Sequence, residues 1–286
     1  MKTQDQLHRY LFENAEVRGE IVQLDETYKT MVENHDYPAH IQTVLGHLLS
    51  ATSLLTATLK FEGDIAVQIQ GDGPVKYMSI NGTDQQDLRG VARYHQEPES
   101  SRLSDVIGKG FLVITITPTQ GERYQGVVAL EHETLAECLQ SYFEQSEQLA
   151  TKLWLFTDIQ NEKAGGMLLQ VLPSNADSHL QDFEHLTALT DTVKMEEVLD
   201  LDAQDVLYRL YHQEKVQLFE PKSIRFNCGC SRDKSLNAIA SINASELESI
   251  IEEQGQVATR CEYCLTDYIF SKEDLLPLLQ GSDTQQ

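Results

Sequence analysis

The sequence predicts an α+β fold: an N-terminal antiparallel-sheet domain with packed helices, an acidic helical segment, and a small C-terminal domain built around cysteines. Three observations lead there. Early segments switch between helical spacing and strict alternation of apolar residues, the stretch from residue 180 to about 214 is helical but strongly acidic, and four of the five cysteines fall after residue 225. The expected divisions are residues 1–175, 176–225 and 226–286. With 286 residues the chain can hold one large core or two smaller ones, since single cores stop growing at roughly 250 to 300 residues.

The first helices are predicted over "DETYKTMVENHD" and "PAHIQTVLGHLLSATSLLTATLK", with Pro38 where a first helical turn accepts it. In "GDIAVQIQGDG" the period changes to two, with Ile65, Val67 and Ile69 on one face and Ala66, Gln68 and Gln70 on the other, as in a half-buried strand. Further strands are predicted in "VKYMSING", "RGVARYHQ", "FLVITITPT" and "RYQGVVALEH", with turns at Asn81-Gly82 and Gln120-Gly121, giving an antiparallel meander. "TLAECLQSYFEQSEQL" returns to helix, because Leu135, Leu139, Tyr142 and Phe143 share a face. "KLWLFTDIQNEKAGGMLLQVLP" reads as a strand pair across a glycine-rich turn, and this domain ends near Pro173.

After "PSNADSH", Leu186, Leu189 and Val193 form one apolar stripe and Val206, Leu207, Leu210 and Tyr211 another, the second run opened by Asp202 as an N-cap. Helices this short are marginal alone in water and must dock, most simply on the preceding domain. The segment from Phe226 to Leu279 is small enough to need a metal or disulfides to fold, and the tail "QGSDTQQ" is expected to be disordered.

Composition narrows the partners. Asp+Glu 45 against Lys+Arg 22 leaves a formal net charge of -23, which repels nucleic-acid phosphates and anionic lipid alike. No run approaches 18 consecutive apolar residues, and "MKTQDQLHRYLFENAEVRGE" carries no signal-peptide core, so the expected location is cytoplasmic. Thiols there are normally reduced, and closely paired cysteines point to metal or redox chemistry.

Cys228 and Cys230 in "FNCGCSRDK", with Cys261 and Cys264 in "TRCEYCLTDY", supply the four soft ligands that Zn²⁺ takes in a tetrahedral site. The helix predicted in "NASELESIIEEQGQ" can bring the two pairs together. A purely structural zinc site satisfies this spacing. So does a switch, since each pair is also close enough to form a local disulfide, and the metal would then be lost with most of the small domain's stability. Cys138, one helical turn from Leu135, is expected to be a buried core residue.

Other chemistry has little support. HExxH, GxSxG, Walker A and GxGxxG motifs are absent, and His35, His40 and His47 lie in or beside predicted helices as solvated or satisfied side chains. One alternative is a structural zinc-ribbon nucleic-acid-binding protein, using Arg225, Arg232 and Lys234. Another is a thiol-disulfide oxidoreductase using Cys261 and Cys264 at a helix start, although "CEYCLTDYIF" runs into strand-forming residues.

Read with "QLHRYLFENAEVRGE", "NHDYP", "LLSATSLLTATLKFEGDIAVQIQGDGP", "RGVAR", "ITITPTQGERYQGVV" and "AGGMLLQVLP", the cysteine pairs make the chain resemble the 33 kDa chaperonin family, redox-regulated heat-shock holdases of bacteria. The resemblance runs from the N-terminus through the second pair. It implies a molecular chaperone rather than an enzyme, inactive when reduced with one Zn²⁺ per chain on Cys228, Cys230, Cys261 and Cys264. Oxidation is then implied to join Cys228 to Cys230 and Cys261 to Cys264, release zinc and unfold the C-terminal domain and acidic linker. The active form is implied to be a homodimer that binds unfolding client proteins without ATP, with no nucleic-acid or membrane partner. Some relatives carry an additional cysteine shortly after the first pair, where this chain has Ser235, so its switch must run on four sulfurs.

Overall fold

The computed structural model describes residues 5–58, 61–173 and 179–281, which divide into two units, Met1–Asn227 and Cys228–Gln286. The first is organised around one long helix, α2 (Ala39–Thr58), preceded by α1 (Glu26–Val32). Residues on every face of α2 are buried, from Ile41 and Val44 through Ser50, Ala51 and Leu55. A helix apolar all round must be covered all round, and α2 is covered by a six-stranded sheet on each side.

One sheet runs β10 (Val216–Leu218), β1 (Gln6–Phe12), β2 (Val17–Leu24), β9 (Lys163–Val171), β8 (Thr151–Asp158), with β11 (Lys222–Ser223) also on β1. The other runs β12 (Arg225–Phe226), β5 (Asp87–Tyr94), β4 (Val75–Thr83), β3 (Gly63–Gly71), β6 (Gly110–Pro118), β7 (Tyr124–Ala129). Ile65, Val67 and Ile69 of β3 face the core, as their alternation requires.

Three expectations are corrected here. The second sheet is a meander only through β3–β4–β5. The chain then passes through α3 (Leu103–Val106) and returns to the opposite edge of β3 as β6. Asn81-Gly82 is inside β4 rather than a turn, because the chain instead reverses at Gln86 (φ 65°), whose buried amide accepts from Ser53 Oγ of α2 at 2.8 Å. Gly82 is there for space: a Cβ would lie 2.5 Å from Leu88 Cδ2. The Gly165-Gly166 pair likewise lies within β9, while the β8–β9 turn is held by the Asp158 carboxylate, which accepts backbone N–H bonds from Gln160 and Asn161.

Helix α4 (Leu135–Tyr142) starts at a capping box between Thr134 and Glu137 and continues as a π-helical turn, Phe143–Glu147. The acidic segment forms α5 (His179–Thr190), α6 (Met195–Asp200) and α7 (Ala203–Tyr211), which pack on the face of the first sheet away from α2. Strand alternation makes this two-sided contact possible: Leu7, Val22 and Leu168 pack with the α2 core, while Tyr10, Val17, Ile21 and Met167 pack with Phe183, Leu186, Val206 and Tyr211. Buried Gln23 donates its amide to the carbonyls of Val198 (2.6 Å) and Leu201 (2.7 Å), satisfying the C-terminal end of α6. Trp154 Nε1 donates to Asp191 Oδ1 at 3.0 Å beside the end of α5.

The second unit holds α8 (Arg232–Ile239), α9 (Ala244–Gln254), the hairpin β13 (Gln256–Arg260) and β14 (Asp267–Ser271), and α10 (Lys272–Gly281). The predicted α9 is bounded by Asn243, whose side chain accepts from Ser245 N–H, and by Gly255 in the left-handed conformation (φ 74°). Its core is small: Ile239, Leu247, Ile251, Val257, Phe270 and Leu275. Of the tail expected to be disordered, Gln280 and Gly281 instead end α10, and residues 282–286 lie outside the described residues, as does most of the "PSNADSH" boundary.

Candidate metal centre

Two short backbone devices aim the four sulfurs at one point. Gly229 adopts a positive φ of 61°, so the chain folds back between Cys228 and Cys230, and Lys234 Nζ fixes the bend by donating to the Gly229 carbonyl at 2.6 Å. Ser231 then caps α8, accepting from Lys234 N–H. Cys261 and Cys264 occupy the tip of the β13–β14 hairpin, where Leu265 N–H donates to the Cys261 carbonyl and Cys261 N–H to the Thr266 carbonyl, both at 2.9 Å. Leu265 takes a left-handed φ of 56° to close that turn.

The four sulfurs lie within 4.8 Å of one another. Sulfurs of different pairs come close, Cys228 to Cys261 and Cys230 to Cys264 each at 3.4 Å. A tetrahedral site with metal–sulfur bonds of ~2.3 Å needs sulfurs ~3.8 Å apart, so the cluster fits a thiolate-bound ion such as Zn²⁺ with little adjustment. None of the five cysteines forms a disulfide.

Packing sulfurs together sets their acidity. Burial pushes the Cys228 thiol up, reinforced by its hydrogen bond with Cys261, and burial also raises Cys230. Cys264 is pushed up by burial but pulled further down by donation from Thr266, whose hydroxyl is 3.2 Å away, and from the neighbouring thiols, leaving it at about 6. Tyr268 donates its hydroxyl to Cys230 at 3.0 Å. A bound cation relieves the repulsion that keeps such a cluster from ionising fully, so metal uptake here is coupled to proton release.

The remaining sequence candidates fall elsewhere. Cys138 is buried in the α2 core, where burial raises its thiol. His40 pairs with Ser101 (3.0 Å), His35 stacks on Tyr37, and His47 is desolvated to a pKa of about 4, so none is placed as a ligand. Arg225 pairs with Asp87, Arg232 lies over the Phe270 ring (4.4 Å) and meets Asp274 (2.9 Å), and Lys234 serves Gly229. The cations invoked for nucleic-acid binding are thus engaged internally. Cys261 and Cys264 lie in the turn between β13 and β14 rather than at a helix start, so no helix dipole acts on them as the oxidoreductase alternative expected.

The profile of the family described as Hsp33 protein matches residues 5–271. The chain belongs to the Hsp33 family. Among its relatives, the 33 kDa chaperonin of Pseudoalteromonas translucida is 55% identical over 274 residues, covering 95% of this chain and 98% of that protein. The 33 kDa chaperonin of Shewanella woodyi is 56% identical over 288 residues, covering 99% and 100%. The crystal structure of the 33 kDa chaperonin of Thermotoga maritima shares the fold, with a TM-score of 0.83, 24% identity and coverage of 98% of this chain and 100% of that one.

Within this Hsp33-family site, sequence reasoning missed Thr266 and Tyr268, whose hydroxyls meet Cys264 and Cys230. The strand reading of "TDYIF" carried the missing signal: a residue four beyond Cys264, two steps down the hairpin, returns toward the sulfurs, and a tyrosine there can donate to them.

Proposed function

We propose that this Hsp33-family chaperone is a redox-regulated, ATP-independent holdase. The reading is carried by one observation, four sulfurs gathered within 4.8 Å in a unit whose apolar core, among the described residues, is six buried side chains. Bound at Cys228, Cys230, Cys261 and Cys264, one Zn²⁺ supplies a structural cross-link that stands in for a larger core. The reduced, metal-loaded chain is the inactive form.

Hydrogen peroxide oxidises one thiolate of a pair to a sulfenic acid, releasing water, and the neighbouring thiol displaces a second water to close the disulfide. Each pair gives up two electrons to one peroxide. The proposed products join Cys228 to Cys230 and Cys261 to Cys264, and sulfurs so joined no longer hold the ion. Short-loop disulfides constrain the chain weakly, so residues 226–286 unfold.

The acidic segment, residues 176–225, acts as the linker in this scheme. Its helices are short, and their stability comes from the apolar contacts around Tyr10, Phe12 and Ile21, so detachment exposes apolar surface on helices and sheet together. That surface binds unfolding client proteins, the active form being a cytoplasmic homodimer without nucleic-acid or membrane partners and without enzymatic turnover. Two features support this: the net charge of -23, and the lack among the described residues of a helix long and apolar enough to cross a membrane.

The test follows zinc release with a chromogenic chelator during peroxide treatment at raised temperature, alongside aggregation of a thermally unfolding client. Release of one zinc per chain, loss of four thiols and suppression of aggregation by the oxidised sample alone are expected. Retained zinc, or release with no gain in holdase activity, would leave the metal a structural staple.

A further inference from the structure

We propose that β7 is an open sheet edge to which extended segments of non-native proteins add as a further strand, favouring segments that carry Lys or Arg. That these guests are chaperone clients rests on the holdase reading above; the strand addition itself does not.

Strand β7 ends its sheet. Leu130 N–H donates to the Gly110 carbonyl (3.3 Å), which sets the phase of the antiparallel ladder: Tyr124, Gly126 and Val128 face β6, and the N–H and C=O of Gln125, Val127 and Ala129 point away from the sheet. The side chains of those three residues are exposed, Val127 by 64%. Native edges are commonly blunted by a proline, a lysine or a bulge, and β7 has none of them. The edge of the other sheet is treated differently, since the outward carbonyl of Leu153 in β8 accepts from the Gln140 amide of α4 at 3.4 Å.

The edge is also held in place. Gly126 leaves room for the Tyr142 ring, and the Tyr142 and Tyr124 hydroxyls are 2.6 Å apart, each 3.3 Å from Glu147 Oε1. At the Tyr124 end opens a groove of about 620 Å³, lined by apolar Phe61, Ile116 and Pro118 and by the carboxylates of Glu62, Glu122 and Glu147. An aliphatic stem ending in a cation matches that lining, and the net charge of -23 draws basic segments and repels acidic ones. An added strand would place alternate side chains beside Val127 and toward this groove.

The experiment uses the full chain, reduced and oxidised, with a ten-residue peptide alternating valine and lysine as probe, read by amide hydrogen exchange and by fluorescence anisotropy. We expect exchange at Gln125, Val127 and Ala129 to slow at least fivefold on peptide binding in both redox states. Val127→Pro removes an outward N–H that the β6 ladder does not use, and should weaken the peptide about tenfold with zinc content unchanged. Val127→Lys, which keeps every backbone group, should weaken it by charge, and a valine–glutamate peptide should not bind. Unchanged exchange at the three amides, wild-type affinity in both variants, or protection that grows with protein concentration without peptide, as for a second copy on the edge, would overturn the proposal. Aggregation assays on the oxidised wild type judge the holdase reading separately: if it suppresses aggregation and Val127→Pro does so equally well, the reading stands and β7 is not the client edge.

Discussion

Glu20→Gln should stabilise the first unit at alkaline pH and not at acid pH. Glu20 lies on the α2 side of β2, 1% exposed, where it accepts from the Thr58 hydroxyl at 3.2 Å and stands opposite Arg9 in the β1–β2 register. Burial raises its pKa from an ordinary 4.5 to about 7, only partly offset by Arg18, Thr58 and Arg9. A carboxyl whose folded pKa is raised binds more protons in the native state, so stability falls as pH rises from about 4.5 through about 7. That displacement corresponds to at most about 3 kcal/mol at pH 8.5, fully present as a penalty above pH 7 and absent below pH 4.5. The glutamine keeps an acceptor for Thr58 but adds an amide needing a partner, so we expect a gain of about 1 to 3 kcal/mol at pH 8.5 and none at pH 4.5. In a unit of this size that is roughly 2 to 10 °C in Tm. Trp154, the single tryptophan, lies on β8 of the same sheet and reports the transition by fluorescence. Parallel melting curves for wild type and variant from pH 4.5 to 8.5 would refute the reasoning.

Cys264→Ser should cut zinc affinity at least 100-fold in chelator competition and accelerate hydrogen exchange throughout residues 228–281; wild-type affinity would show that three sulfurs suffice. Tyr211→Ala removes a ring packed 5.0 Å from Phe12 and 6.0 Å from Tyr10, at a cost of about 3 to 5 kcal/mol. It should speed exchange in α7 at least 100-fold without displacing zinc, and unaltered α7 exchange would contradict the docking described for the acidic helices. In Gly165→Ala the new Cβ meets Leu199 Cδ2 and the Val22 carbonyl, each at 2.8 Å, so a loss of about 1 to 3 kcal/mol is expected in urea titration followed at Trp154. Asn243→Ala should lower the helicity and thermal resistance of the second unit by about 1 kcal/mol through the lost cap to Ser245, with the first unit unaffected by calorimetry.

The amino-acid order by itself determined what depends on neighbours in the chain. Alternation located β3, helical spacing located α2 and α4, and "NASELESIIEEQGQ" located α9. The paired cysteines announced the centre because ligand chemistry demands those atoms at short spacing, whatever surrounds them. Tertiary structure decided where pairs of segments meet. Gly82 and Gly165 look like turn residues in sequence and are strand residues in the fold, because their use is space beneath Leu88 and Leu199 rather than backbone freedom. The reversal at Gln86 depends on a polar pocket in α2 thirty-three residues away. Strand β2 lacks a clean period because it is covered on both faces, which erases the alternation a one-sided strand shows. Tyr268 and Thr266 belong to the centre because the hairpin turns their hydroxyls to the sulfurs. Local patterns record how each residue treats water, and contacts distant in sequence leave no period to read.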